Sequence, residues 1–249
     1  MTDIEIGRGK RARRAYAFDD IAIVPSRRTR DPEEVSVAWQ IDAYRFDIPV
    51  LAAPMDSVMS PATAVALGRH GGLGVLDLEG LWTRYDDPSD LLAEVASLDD
   101  GAATRRMQEI YAEPIRPELI GRRVEEIKAA GVVAAASLTP QRVARFHQFA
   151  LEAGLDILVI QGTVVSAEHV SSTSEPLNLK TFIAHYDLPV VVGGCASYAT
   201  ALHLMRTGAA GVLVGVGPGA ASTTRGVLGI GVPMATALAD AAGARIRHL

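Results

Sequence analysis

Six short apolar runs recur along the chain, each followed by Gly, Pro or small polar residues and then by a helical pattern. They are IPVLAAPM (48–55), GGLGVLDL (71–78), GVVAAASL (131–138), DILVIQGT (156–163), LPVVVGGC (188–195) and GVLVGVGP (211–218). Their positions are apolar in succession, not in alternation, which predicts parallel strands covered on both faces. Between the later runs lie amphipathic segments such as TPQRVARFHQFALEAG (139–154) and SYATALHLMRTGAA (197–210). The late repeat is about 25 to 30 residues, the length of a βα unit.

Such a series closes either as a (β/α)8 TIM barrel or as a doubly wound sheet. The strand ends carry different polar motifs one after another, as when several strands serve one site on a barrel's C-terminal face. No G-x-G-x-x-G with a later acidic residue follows the first strand, which argues against a dinucleotide-binding sheet. The expectation is therefore an α/β TIM-type barrel, incomplete here, with about six βα units. Residues 1–15 read as a flexible basic leader containing Arg8 to Arg14, and residues 16–249 as the barrel domain. The last two units would lie past Leu249, because the chain ends inside what reads as the sixth helix. Segment 83–130 interrupts the rhythm with charged amphipathic helices and reads as barrel helices with local elaboration, Pro88 opening one of them.

Composition narrows the function classes. Hydrophobic residues make up 49% of the 249, aromatics only 5%, in keeping with aliphatic helix-on-sheet packing. A net charge of −5 gives no electrostatic reason to expect nucleic acid or membrane as partner. The single cysteine excludes an internal disulfide framework and fits a reducing, cytoplasmic compartment. No run reaches the roughly 18 to 20 apolar residues of a membrane span. No pair of histidines or cysteines has metal-ligand spacing, so no transition metal is expected.

The candidate chemistry concentrates in GVGPGAASTTRGVLGIG (215–231). Gly215, Gly217 and Gly219 permit close backbone approach to a ligand, and Pro218 stiffens the turn. Successive N–H groups there would form an anion cradle, with Ser222, Thr223 and Thr224 adding hydroxyls. Outward carbonyls of the same loop could bind a monovalent cation. The alternative is a Gly-rich connection with a helix cap. In DIPVLAAPMDSVMSP (47–61), Met55 offers an adaptable surface for a flat base or else packs in the core, and Asp56 and Ser57 read as caps of the next helix. Cys195 and His70 read as structural, Lys180 as solvent-facing, and His169, beside Glu168, as a helix-start residue, an acid/base or a phosphate contact.

These stretches, with YAFDDIAIVPS (16–26), GGLGVL (71–76) and PVVVGGCAS (189–197), resemble in order the IMP dehydrogenase/GMP reductase family. Phe18-Asp19-Asp20, Pro54-Met55-Asp56 and Gly217 to Arg225 match its opening, base-side and catalytic-loop motifs. The lack of a tandem regulatory (CBS) insertion, with GLWTRYDDP (80–88) and VIQGTVVSAEHVS (159–171), is most similar to the short related paralogues. The resemblance implies an oxidoreductase of purine nucleotide metabolism, typically tetrameric, binding a purine nucleoside monophosphate (IMP or GMP) and NAD or NADP. By position, Met55, Gly193, Gly194, Gly217, Gly219, Ala220 and Ser222 would contact the nucleotide, and Gln161 the cofactor. The carbonyls of Gly217, Gly219 and Ser222 would hold K+, and Thr224 is the family's loop threonine.

The sequence also departs from that pattern. Ser222 stands at the nucleophilic cysteine, Ala220 and Ala53 at ligand-side serines, and Gln161 near a cofactor-binding aspartate. A thiol of pKa about 8.5 is partly ionised at neutral pH, whereas a serine needs a neighbouring base, and the loop shows none. The second phosphate strand and the flap with its hydrolytic Arg and Tyr would fall past Leu249. An enzyme with weak or no activity in this chain, a non-catalytic nucleotide-binding paralogue and a fragment completed by another polypeptide all remain as expectations.

Overall fold

A computed structural model describes residues 4–166 and 176–249. An exposed ribbon of β1 (Ile4–Gly7) and β2 (Lys10–Ala12) opens the chain within the segment read as a basic leader. Just beyond it Arg13 forms an ion pair with Asp240. A second hairpin, β3 (Trp39–Ile41) and β4 (Tyr44–Phe46), turns at Asp42, whose φ of 48° is left-handed.

The six runs read as strands are strands. They are β5 (Leu51–Ala52), β6 (Leu73–Asp77), β7 (Ala135–Leu138), β8 (Ile157–Gln161), β9 (Val190–Cys195) and β10 (Gly211–Val214). All neighbours are parallel and the spatial order follows the chain order. With helices between the strands, this is an incomplete TIM-type barrel of six strands, in agreement with the sequence pattern. The helices are α1 (Pro61–Arg69), α2 (Ser89–Ala96), α3 (Asp100–Ile110), α4 (Pro117–Ala129), α5 (Pro140–Glu152), α6 (Leu179–His185), α7 (Tyr198–Met205), α8 (Thr224–Leu228) and α9 (Met234–His248). No helix among the described residues is long and apolar enough to cross a membrane.

Local chemistry sets the helix starts. Prolines occupy the first position of α1, α4 and α5, where their missing N–H costs nothing. Asp99, Asn178 and Ser197 cap α3, α6 and α7 by accepting a backbone N–H of the first turn. For α1 the cap is Ser60, which accepts from Thr63 N at 3.1 Å, not Asp56 or Ser57 as the sequence implied. Asp56 points elsewhere, because the tighter demand on it comes from Leu81 and Tyr111, as described below. His70 closes α1, and Lys180 is exposed, as expected.

The strands alternate between two cores. Leu76, Ala136, Leu138, Leu158, Ile160, Val190 and Val192 face outward into the layer of helices. Leu73, Val75, Ala135, Ile157, Val159 and Val191 face inward, where Ile41 and Phe46 of the β3–β4 hairpin pack against them. That hairpin, with Trp39 against Phe46 at 4.8 Å between ring centroids, covers the inner apolar layer. Tyr44 also donates to Asp156 Oδ1 at 3.1 Å, and Lys128 Nζ lies 2.7 Å from the same oxygen.

Segment 83–130 is helical, as its charge pattern implied, and Arg123 ties α4 to the turn at residues 82–86. Arg123, only 4% exposed, donates to the carbonyls of Trp82 (2.9 Å), Tyr85 (3.2 Å) and Asp86, and pairs with Glu126 at 2.8 Å. Its guanidinium also lies 5.4 Å from the centroid of the Trp82 ring. Part-buried carbonyls that lose their donor are costly, so this buried side chain is a clamp that a hydrophobe of similar length does not replace. Arg123→Met is expected to lower the unfolding free energy by about 2 kcal/mol or more. The check is a urea titration, in which the midpoint falls while the slope stays unchanged.

Candidate functional site

Continuing the inward alternation to the strand tips brings polar residues onto the inner face. Asp77 follows Leu73 and Val75 in β6, Ser137 follows Ala135 in β7, and Gln161 follows Ile157 and Val159 in β8. Asp77 and Ser137 are register partners, as are Gln161 and Gly193. These tips form one wall of a cleft of about 800 Å3 at the C-terminal mouth of the strands. Ala53 and Pro54 after β5, Gly194, and Leu213 to Gly217 after β10, with Thr224, complete it.

The glycine-rich wall is shaped by close backbone contact. A Cβ on Gly194 would stand 2.5 Å from the Gly215 carbonyl oxygen, so no side chain fits between β9 and β10 at the rim. Gly217 has a φ of 52°, and a Cβ there would lie 3.1 Å from Thr224 Cβ. Gly215 N donates to Cys195 O at 2.7 Å, and Val232 N to Val216 O at 3.0 Å, which ties both ends of the turn to the rest of the fold.

Of the residues singled out from sequence, Gln161, Gly194, Gly217 and Thr224 meet in this cleft. Gly193 does not line it, because its Cβ position is taken by Leu213, 2.4 Å away. Met55 is 51% exposed, neither in the core nor in the cleft lining, although its neighbours Ala53 and Pro54 are. Gly219, Ala220 and Ser222 are exposed beyond the rim. Ser222 N donates to Gly219 O at 3.2 Å, and its hydroxyl accepts from Thr224 N at 3.4 Å, at the start of α8. Cys195 is 1% exposed within the outer core, and burial raises its thiol pKa above the ordinary value, which suits a packing role. Glu168 and His169 lie outside the described residues.

Several cleft residues were not singled out from sequence: Asp77, Glu79, Arg84, Tyr111, Ser137, Thr139 and Thr163. The signal for two of them, Asp77 and Ser137, was present as the first polar residue ending an apolar run, in VLD and AAS. Arg84 is committed mainly to main chain. Its guanidinium donates to the carbonyls of Glu79 (3.1 and 2.9 Å), Tyr111 (3.1 Å) and Glu113. Tyr111 donates its hydroxyl to Asp56 Oδ2, which also accepts Leu81 N at 2.8 Å. Burial, then the Asp56 carboxylate, raises the Tyr111 pKa well above the ordinary phenol value. Asp56 Oδ1 is buried without a hydrogen-bond partner among the described residues.

Glu79 is occupied by Thr139 N at 2.6 Å and approaches Arg142 Nε at 3.8 Å. Asp77 has a lighter load: its Oδ1 accepts Glu79 N at 2.8 Å. Burial, with smaller contributions from Asp56 and Glu79, pushes the Asp77 pKa up to about 7. Among the described residues no three His, Cys, Asp or Glu stand together as ligands for a metal ion. Chemically the mouth is therefore two-sided, with glycine-rich main chain and the Thr224 hydroxyl on one wall and carboxyl, hydroxyl and amide side chains on the other.

Comparison with known proteins places this architecture. The chain is 52% identical over 252 residues to an uncharacterized oxidoreductase of Mycolicibacterium smegmatis, covering 99% of this chain and 67% of that one. It is 27% identical to the inosine-5'-monophosphate dehydrogenase of Borreliella burgdorferi, over 93% of this chain and 60% of that one. The crystal structure of an IMP dehydrogenase/GMP reductase-like protein from Corynebacterium glutamicum superposes with a TM-score of 0.92 at 45% identity. That match covers 99% of this chain and 66% of the other, so the chain spans about two thirds of the length of such relatives. The model of the IMP dehydrogenase / GMP reductase domain matches residues 15–248. On that match, and on the parallel barrel whose strand tips share one cleft, the chain belongs to the IMP dehydrogenase/GMP reductase family.

Proposed function

We propose that the cleft binds a purine nucleoside monophosphate, with its phosphate toward the glycine-rich wall, in an oxidoreductase-type protein of purine nucleotide metabolism. The observation that carries this reading is the meeting of Gly217 and Thr224 with Ala53, Pro54, Gln161 and Gly194 at one mouth. A volume of about 800 Å3 lies in the range of small-ligand sites. The backbone around Gly217 offers the concavity that anions favour, and the Thr224 hydroxyl is a further donor.

A nicotinamide cofactor, NAD or NADP, belongs to the same proposal and would supply hydride transfer when bound. Gln161, Gly162 and Thr163 are the residues suited to hold it beside the nucleotide, with neutral hydrogen bonds in place of a charged ribose contact. K+ would rest on the carbonyls of Gly217 and Ser222 and on that of Gly219, which already accepts the Ser222 N–H. A family-type tetramer is part of the reading, and exposed apolar side chains such as Ile23, Val24 and Val227 are compatible with self-association.

A second reading, nucleotide binding without turnover, is favoured by one feature. Ser222 is exposed, and its hydroxyl bonds a backbone N–H instead of a base. Unactivated serine attacks poorly, so covalent chemistry at this position is the weakest part of the oxidoreductase reading.

Binding of IMP and GMP measured by calorimetry tests the site. Gly217→Val is expected to weaken either by at least about tenfold, because a β-branched residue cannot hold a φ of 52° against Thr224. Unchanged affinity in a folded variant overturns the proposal. Incubation with IMP and NAD, or with GMP and NADPH, is expected to give little or no change in reduced-cofactor absorbance. Rapid turnover would instead show that Ser222 is no obstacle. Because Ser222 lies beyond the rim, Ser222→Cys is expected to give no covalent adduct with a 2-halopurine nucleotide by intact-protein mass spectrometry, and an adduct would bring position 222 onto the ligand.

A further inference from the structure

Two facts about the acidic wall stand out. Asp77 is the inward residue at the tip of β6 and lines the cleft beside Ser137, its register partner. Its Oδ1 is taken by the Glu79 N–H, whereas no described residue hydrogen-bonds its Oδ2. Oδ2 is also absent from the buried, partnerless atoms, so it opens on the cleft.

The charges around it decide what it receives. Asp56 faces it from the turn after β5, Glu79 from its own strand end, Arg84 from the turn that follows, and Tyr111 from the end of α3. Arg84 spends four of its five N–H groups on three main-chain carbonyls, and the Tyr111 hydroxyl is given to Asp56. The wall is thus acidic, with no cation hydrogen-bonded to Asp77, and repels an anion. A hydrogen-bond donor on the ligand is what this oxygen accepts. The opposite wall, glycine-rich main chain with the Thr224 hydroxyl, carries no carboxylate and has the reverse preference.

Resting on the nucleotide reading above, we propose that Asp77 fixes the nucleoside half of the ligand by accepting a hydrogen bond from a ribose hydroxyl or an exocyclic amine. No described contact uses this carboxyl oxygen, and Asp77 takes no part in the nucleotide and cofactor contacts assigned above. The cleft then reads a ligand end to end: anion at Gly217, donor at Asp77. Because burial lifts this carboxyl to about 7, the accepting, ionised form grows through the neutral range. Donor binding stabilises the ionised form, so affinity rises with pH and binding releases a proton.

Calorimetry on the full chain with GMP, IMP and 2'-deoxy-GMP at pH 6 and pH 8 tests this. Ionisation about a midpoint near 7 goes from about one tenth to about nine tenths between those values, a roughly tenfold gain in affinity. Asp77→Asn keeps the shape and the acceptor for Glu79 N, and should bind about tenfold more weakly at pH 8. Only the phosphate's own titration, common to both proteins, should remain in its pH profile. Loss of the Asp77 effect with 2'-deoxy-GMP assigns the donor to the ribose, and loss with IMP alone assigns it to the purine amine. Equal affinities and equal pH slopes in wild type and variant overturn the assignment while leaving the nucleotide site standing. No binding by either protein overturns both. Should Asp77→Asn not fold, guanosine, which carries no phosphate to titrate, gives a second readout on the wild type. Proton release near pH 7, from buffers of different ionisation enthalpy, supports the proposal, and no release or uptake overturns it.

Discussion

A parallel strand covered by helices outside and by its neighbours' side chains inside has little room for a polar group. The exception is the inner face at its C-terminal tip, where the apolar layer ends and water begins. In β6, β7 and β8 that position is held by Asp77, Ser137 and Gln161, directly after inward-facing Val75, Ala135 and Val159. A polar residue one pair of positions earlier would be buried in the apolar layer at a cost of several hydrogen bonds' worth of lost hydration. The cleft is where it is because only there does a carboxyl or amide find both support and solvent.

Support comes from main chain more than from side chains. Arg84 and Arg123 hold the turns at residues 79–86 and the helical elaboration by donating to carbonyl oxygens. The arginine on the lining of the acidic mouth, Arg84, is thereby held mainly by main-chain carbonyls. On the other side the contact of Gly194 with Gly215 lets two backbones approach where side chains would separate them. Walls of opposite character, one of glycine-rich main chain and one bearing carboxyls, follow from these two kinds of contact.

Much of this was legible in the residues. The six parallel strands and the helical 83–130 segment follow from runs that are apolar without alternation, and from charge at helical spacing. The β3–β4 hairpin was missed, although Trp39, Ile41, Tyr44 and Phe46 around Asp42-Ala43 carry the alternating signal of a short ribbon. The glycine motif led to Gly217 and Thr224, because it encodes backbone shape, whereas Gly194 came from the family resemblance. It did not tell that Met55 and Ser222 sit outside the cleft lining, which depends on how the turns lie beyond the rim. Arg84 and Tyr111 reach the mouth from outside the strands, so no local pattern marks them.

The order β5 to β10 is also the order in sequence, and this bears on how the chain assembles. Each strand finds its partner one βα step away, so the entropy of loop closure is met in small increments and not in one long leap. Only the span between β6 and β7, which carries α2, α3 and α4, asks for a longer closure. The four strands β7 to β10 are therefore the set with the most local pairings, and contacts of that kind speed folding. A nascent chain emerging from its synthesis can add these units in succession, each new strand docking on an edge that its predecessor has just presented.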